Sequence, residues 1–505
     1  MLRGNKQAVT KFILAIDQGT TSSTALVMGA DGTTLGRATE ELPQHFPKPG
    51  WVEHDPSQIW EGVLASVTEA LRQAGISGES LAAVGITNQR ETTLLWDRAS
   101  GEHVHRAIVW QDRRTAAKCQ ELRERGVQPE VRQRTGLVVD PYFSGTKLAW
   151  MLNSLEGVRA RAVQGKLAFG TIDSFLMWKL TNGEKHVIDV TNASRTLLMD
   201  LKTLQWSPEM LALLEVPEPV LPQIVPSAGK LGMTRAVPGL PDGIPITGIA
   251  GDQHAALFGQ ACFSPGEGKC TYGTGAFVLV NTGDKPVMSE VGLLTTLGWQ
   301  VGNEVVYALE GSSFIAGAAV QWLRDGLGVI EHASQVEALA REVDSSDGVV
   351  FVPALAGLGA PYWDAEARGL ICGITRGTTR AQLARATLEA IAYQVDDLIV
   401  AMSNDLGRPV TKVRVDGGAA ANNLLMQLQS DISAVLVERP KELESTARGA
   451  AMLAGVGAGL FESGQEAARL IQLDQTFQPQ SSDEDRQSRR QLWHDAVRRA
   501  LSTRA

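Results

Sequence analysis

The sequence predicts an α/β chain folded as two similar lobes, and three observations lead there. At 505 residues the chain exceeds what one hydrophobic core serves, at roughly 100–200 residues per domain. Short apolar runs of strand character alternate along it with amphipathic helical stretches. An apolar strand that breaks into a Gly/Thr tip and then resumes occurs in each half, at FILAIDQGTTSSTALVM from Phe12 and at KCTYGTGAFVLVNTG from Lys269.

The first strand, FILAI, is continuously apolar, as a strand buried on both faces must be. After the tip Asp17–Ser23, TALVM resumes, and the turn Ala30-Asp31-Gly32 leads into TTLGRA, which completes a three-stranded meander. A helix enters at Pro56 and runs toward Ala74, where Gly75 stops it. LAAVGIT is the next strand; it ends in the polar cluster Asn88-Gln89-Arg90-Glu91, and TTLLWD and AIVWQDRRT continue the alternation. From about Ala149 to Pro241 the chain reads as helical with many turns. The Pro/Gly-rich stretch Val225–Pro245 reads as a linker approaching a domain boundary, with domains expected at 1–258 and 259–505.

Beyond it, IPITGIAGDQ is an apolar strand ending at Asp252, and KVRVDGGAAANN is a further strand-to-glycine junction opening a helix to about Ile432. The C-terminal run from Ser481 reads as an amphipathic helix docked by a Leu/Trp stripe.

Composition narrows the function. With 47 Lys+Arg against 56 Asp+Glu and a net charge of −9, no basic run is dense enough to follow a nucleic-acid backbone. A nucleotide substrate is compatible with this balance, because a few placed N–H groups decide phosphate binding. The four cysteines, Cys119, Cys262, Cys270 and Cys372, lack CxxC pairing and read as reduced, mostly buried thiols. MLRGNKQAVTK at the start has no apolar core, and no stretch approaches the ~20 apolar residues of a membrane span. No membrane insertion and a cytoplasmic location are therefore expected.

No GxxxxGK[ST] occurs, so phosphate binding falls to the glycine tips. Gly19-Thr20-Thr21-Ser22 and Gly273-Thr274-Gly275 each combine close backbone approach with hydroxyl donors; either alone is also an ordinary polar turn. Asp17, at a strand end, can reach a magnesium ion or initiate a turn. Asp252 reads locally as a helix N-cap, which does not prevent it from also presenting an oxygen as general base. Arg90 and Glu91 offer a donor fork and an acceptor for vicinal hydroxyls, and Trp110 and Phe277 can cover a hydrocarbon edge, or all four can be structural. His103 and His105 have HxH spacing without a third ligand and read as solvated.

These segments, with PGWVEHDP, DPYFSGTK, TNASRT, GIAGDQHAALFGQ, TYGTG, GLGAPYWD and RVDGGAAANN, are collinear over residues 12 to 478, and on them the chain resembles the FGGY carbohydrate kinases. The resemblance implies a two-lobed actin/hexokinase-like fold with duplicated ribonuclease-H-like cores and the active site in the interlobe cleft. It implies a polyol site at Arg90, Glu91, Trp110, Tyr142, Asp252, Gln253 and Phe277, with Asp252 as general base. It implies ATP at Thr20, Thr21, Ser22, Thr274, Gly317, Gln321, Gly418 and Asn422, and Mg2+ at Asp17 and Asp252. Trp110 and Phe277 would make a slot for a three-carbon chain, so glycerol is the expected substrate, with ATP/ADP as the nucleotide pair and a homodimer or homotetramer as the assembly. Another small polyol or ketose, such as dihydroxyacetone or erythritol, is the alternative within the family; a non-catalytic actin-like ATP-binding protein is the alternative outside it. Thr24 stands where the family members that act on glycerol commonly carry Arg, and the stretch from Lys230 to Pro245 lacks the His that some members phosphorylate.

Overall fold

The computed structural model describes residues 11–502; most of the polar N-terminal run lies outside them. The chain forms two compact units. One takes the chain up to Ala261 together with Thr296–Tyr307 and Ser445–Leu470, and the other takes Cys262–Thr295, Ala308–Glu444 and the chain from Ile471 on.

In the first unit the strands lie in the order Thr34–Glu41, Ser22–Gly29, Phe12–Gln18, Leu81–Asn88, Pro245–Gly251, Ala228–Met233. The three central strands are parallel and the outer pairings antiparallel. Gln18 and Gly251 both stand opposite Asn88, so the three parallel strands end at one level, where open α/β sheets bind their ligands. Side chains alternate across the first strand. Leu14 and Ile16 join a cluster with Ile59 and Val63 of the helix Pro56–Ala74, while Ile13 faces Gly455 on the helix Ser445–Gly457. Apolar contacts on both faces account for the unbroken run. As expected, Gly75 ends the first helix in the left-handed region at φ 66°.

The helix Ser445–Gly457 also packs on Asp252–Gly259, and its closest approach is at Gly449. A Cβ there would lie 1.8 Å from the carbonyl oxygen of Ala255, so no side chain fits without separating the helices. Gly449→Ala is expected to destabilise the protein by about 1–3 kcal/mol and to lower turnover by displacing the helix that begins at Asp252; the denaturant midpoint and kcat check this.

The second unit repeats the same pairing pattern. Beside the part of Glu304–Ser313 that belongs to it, from Ala308 on, its strands run Ala276–Gly283, Glu267–Tyr272, Lys412–Asp416, Leu436–Pro440, Leu473–Phe477. Again the central three are parallel, with antiparallel partners outside. This is the duplicated α/β core that the two glycine-tipped hairpins led us to expect. The helix Arg380–Leu406 is buried along most of its length, and its start carries a capping box between Thr379 and Gln382.

Three local expectations are corrected. Between Ala149 and Pro241 the helices are short and alternate with strands such as Leu167–Gly170, Val187–Asp189 and Gln223–Val225, because turn residues recur too often for long helices. The Pro/Gly-rich stretch is no linker. Ala228–Met233 pairs antiparallel with Pro245–Gly251, and the prolines and glycines serve the connection between them. In the helix Asp483–Ala500 the docked residues are Trp493, Ala496 and Val497, whereas Leu492 is 51% exposed. The Trp493 indole donates to Asp397 at 2.8 Å and stacks on Tyr393. All four cysteines are free, and burial pushes the thiols of Cys119, Cys262 and Cys270 up to about 11, 12 and 12.

Candidate active site

In the first unit, most of the implied polyol residues gather at the ends of two neighbouring strands. Arg90 and Glu91 follow Leu81–Asn88, and Asp252 follows Pro245–Gly251. Arg90 Nε lies 3.1 Å from Asp252 Oδ1, with the arginine side chain 3% and the aspartate 30% exposed. The carboxylate is thus held by a buried cation while part of it still meets solvent. Asp252 is the first residue of its helix, and Gly251 occupies the cap position; the expectation of an N-cap is corrected. Asp252 Oδ1 still accepts from the backbone N–H of Gln253 at 2.6 Å. A Cβ at residue 251 would lie 2.7 Å from Cγ of Arg90, so only glycine lets the two strand ends come this close.

Arg90 and Glu91 are buried, not a surface ion pair, and they stand 4.0 Å apart. The near partner of Glu91 is Arg195, whose Nε donates to Oε1 at 2.6 Å with both side chains inaccessible. Glu91 has φ 57°, a conformation that costs a non-glycine residue free energy and clusters at functional sites. Its carbonyl accepts from Thr93 Oγ1 and Ser144 Oγ, at 2.9 and 3.0 Å, which holds the turn. Arg195 also lies over the rings of Tyr142 and Phe143, 5.5 and 5.3 Å from their centroids.

Trp110 meets Tyr142 edge to face at 5.6 Å, and its indole N–H donates to Thr20 Oγ1 at 2.9 Å. Tyr142 is held from below by Lys147, a fully buried ammonium that donates to the carbonyls of Pro141, Tyr142 and Phe143. Thr20, Thr21 and Ser22 form the first tip, closed by Gly19 N–H on the Ser22 carbonyl at 2.8 Å. Gln89 ties this tip to the end of the strand Leu81–Asn88, donating through Nε2 to the Gly19 carbonyl at 3.0 Å. Asp17 sits one residue before the end of its strand, opposite Thr24 and Thr87. Thr24 is buried and shares a hydrogen bond of 2.9 Å with Thr39.

Beneath these residues lies a carboxyl pair, Asp173 and Asp189, both fully buried. Burial pushes Asp173 up to about 7 and also raises Asp189. Because the folded value of Asp173 exceeds its ordinary one, folding retains a proton that the unfolded chain releases. Its contribution to stability is full below about pH 4 and is lost as pH rises to about 7, at no more than about 1.4 kcal/mol per pH unit. Asp173→Asn is expected to flatten that slope in denaturant midpoints measured from pH 5 to pH 8.

The second unit carries Phe277, half-buried on the strand Ala276–Gly283, and the remaining nucleotide residues. Its tip is locked to a helix start. The Thr274 carbonyl accepts from Ala316 and Ala318, and the Gly273 carbonyl accepts from Gly317, at 2.8, 3.1 and 2.9 Å. Gln321 lies one turn further along that helix, Gly317–Asp325. Asn422 caps the helix Asn423–Ser433, accepting from Leu425 N–H at 2.9 Å. A Cβ at Gly418 would meet nothing within 4 Å. The backbone there is open to solvent.

Sequence reasoning missed Arg195, Asp189, Gln89 and Lys147. Three of them stand in segments the sequence singled out without giving them a role, Arg195 in TNASRT, Gln89 in Asn88-Gln89-Arg90-Glu91 and Lys147 in DPYFSGTK, whereas Asp189 stands in none. His103 and His105 belong to no metal cluster; among the described residues none exists. His105 is not merely solvated, since its ring packs on Trp150 and its Nε2 is 3.7 Å from Glu53.

The FGGY family of carbohydrate kinases matches this geometry in sequence, its N-terminal domain over residues 12–259 and its C-terminal domain over 268–458. The chain belongs to that family. The first compact unit of this FGGY kinase also takes in Ser445–Leu470, far beyond the N-terminal family segment that ends at residue 259. A glycerol kinase of Myxococcus xanthus is 58% identical over 492 residues, covering 97% of this chain and 99% of the relative. One from Alkalilimnicola ehrlichii is 54% identical over 488 residues, covering 97% and 98%. Among solved structures, glycerol kinase of Plasmodium falciparum with ADP superposes with a TM-score of 0.93 at 36% identity, covering 98% of this FGGY kinase and 99% of that chain. Among the described residues no helix is long and apolar enough to cross a membrane.

Proposed function

We infer that this FGGY kinase transfers the terminal phosphoryl group of ATP to a terminal hydroxyl of glycerol, yielding sn-glycerol 3-phosphate and ADP. The observation that carries the reading is the Arg90–Asp252 pair of 3.1 Å, a partly exposed carboxylate held by an arginine that also reaches the Tyr142 hydroxyl at 3.5 Å, with Trp110 against that ring. Arg90 and Glu91 bind the vicinal hydroxyls, Tyr142 and Gln253 complete the polar wall, and Trp110 and Phe277 cover the carbon chain. Asp252 accepts the hydroxyl proton as the oxygen attacks phosphorus. The bond from the γ-phosphorus to the bridging oxygen breaks, and ADP leaves with that electron pair.

Thr20, Thr21 and Ser22 on one tip and Thr274 on the other bind the phosphates. Gly317, Gln321, Gly418 and Asn422 bind the remainder of the nucleotide. Mg2+, when bound, offsets charge on the phosphate oxygens. Asp17 and Asp252 would supply the carboxylates that hold it. The reading includes a cytoplasmic homodimer or homotetramer, which sedimentation of the purified protein checks.

A coupled ADP-release assay across glycerol, dihydroxyacetone, erythritol and xylulose tests the substrate. Glycerol is expected to give the highest kcat/KM. A pentulose in first place would overturn the three-carbon slot, and no turnover with any polyol would leave an ATP-binding protein without this chemistry.

A further inference from the structure

Asp189 has no part in the transfer just described, yet it is fully buried and receives five hydrogen bonds. Oδ1 accepts from Thr191 Oγ1, Asn192 N–H and Asn192 Nδ2, each at 2.9 Å. Oδ2 accepts from Thr191 N–H at 3.0 Å and Ser227 Oγ at 2.9 Å. Two of these donors reach onward to the strand ends that carry the chemistry. A hydroxyl has one proton, and Thr191 gives its own to Asp189, so its lone pairs are turned to the backbone N–H of Gly251 at 2.9 Å. Asn192 forms a reciprocal amide pair with Asn88, 3.0 Å in each direction. Gly251 precedes Asp252, and Asn88 lies two residues before Arg90. Gly251 is packed so tightly on Arg90 that a shift of one strand end moves the other.

We propose that Asp189 is a positioning residue for the transfer, setting Asp252 through Thr191 and Gly251, and Arg90 through Asn192 and Asn88. This rests on Asp252 being the base. The buried carboxylate holds the relay by fixing which way two side chains point, since each can hydrogen-bond in more than one orientation. A base misplaced by a fraction of an ångström loses turnover before it loses substrate binding.

The test is a pair of variants that divide the threonine. Thr191→Ser keeps the hydroxyl and drops the methyl; Thr191→Val keeps the shape and drops the hydroxyl. In steady-state assays of the full chain, Thr191→Val is expected to lose roughly 10–100-fold in kcat, with KM for ATP within about twofold, while Thr191→Ser stays within about threefold in kcat. Melting temperature is read alongside. Equal loss of kcat in both variants, in step with their melting temperatures, would reduce the segment to a structural role and overturn the proposal, as would an unimpaired Thr191→Val. Should Thr191→Val not fold, Asp189→Asn is read the same way: kcat falling more than polyol affinity supports positioning, and a parallel fall overturns it. If the wild type prefers another polyol to glycerol, the substrate reading fails alone and the series is run on that polyol; a wild type inert to every polyol sinks both.

Discussion

Asp252→Asn is expected to lower kcat with glycerol by roughly 10²–10⁴-fold while leaving the binding of glycerol within about threefold. The substitution is nearly isosteric. The amide oxygen can still accept from Gln253 N–H and face Arg90 Nε, contacts that the carboxylate makes at 2.6 and 3.1 Å, so the strand ends keep their places. What is removed is the acceptor for the substrate proton, which matters only as the new bond to phosphorus forms. ADP release gives kcat, and calorimetric titration of glycerol gives affinity without turnover. A variant within threefold of wild-type kcat would sink the assignment of the base, and an equal loss of binding would make Asp252 a substrate anchor instead.

Arg195→Met is expected to be the most damaging change outside the residues facing substrate. It leaves Glu91, 1% exposed, without the guanidinium that donates to it at 2.6 Å. Removing one partner of a buried ion pair typically costs about 3–5 kcal/mol, because the remaining charge keeps its desolvation penalty. The methionine also gives up the cation's contact with the rings of Tyr142 and Phe143. Glu91 stands at φ 57°, and losing the group that fixes its side chain lets the turn relax. The denaturant midpoint should fall, and KM for glycerol should rise by a larger factor than kcat drops. An unchanged midpoint would mean that Glu91 is satisfied by its other neighbours, and an unchanged KM would remove Glu91 from the polyol site.

Much of this was legible in the chain because it is written in local patterns. The two glycine-tipped hairpins, the helix closed by Gly75 and the strand ending before Asp252 all follow from runs of residues adjacent in sequence. The position of Asp252 relative to its cap was not legible, since aspartate is the commoner cap. The deciding fact is a steric one between Gly251 and Arg90, residues far apart in the chain. Likewise the partner of Glu91 could not be chosen by adjacency. Arg90 is next to it, but its guanidinium turns to Asp252, and Arg195, more than a hundred positions away, takes the carboxylate. Asp189 gave no sign at all, because a buried carboxylate satisfied by a threonine, an asparagine and a serine looks in sequence like any polar turn. Resemblance supplied the residues that would touch substrate, whereas the groups that hold those residues came from the packing.

The return of Ser445–Leu470 to the first unit sets an order of events during synthesis. The helix Ser445–Gly457 supplies the surface on which Gly85 and Gly248 rest, with its backbone too near either for a side chain to intervene. A ribosome adding about 5–20 residues per second needs roughly 10–40 s to pass from Ala261 to that helix. Throughout that interval the nascent N-terminal sheet lacks the helix that lies on Gly85 and Gly248, so a chain stalled before Ser445 should be a client of chaperones and a target of proteases, however complete its first 261 residues are.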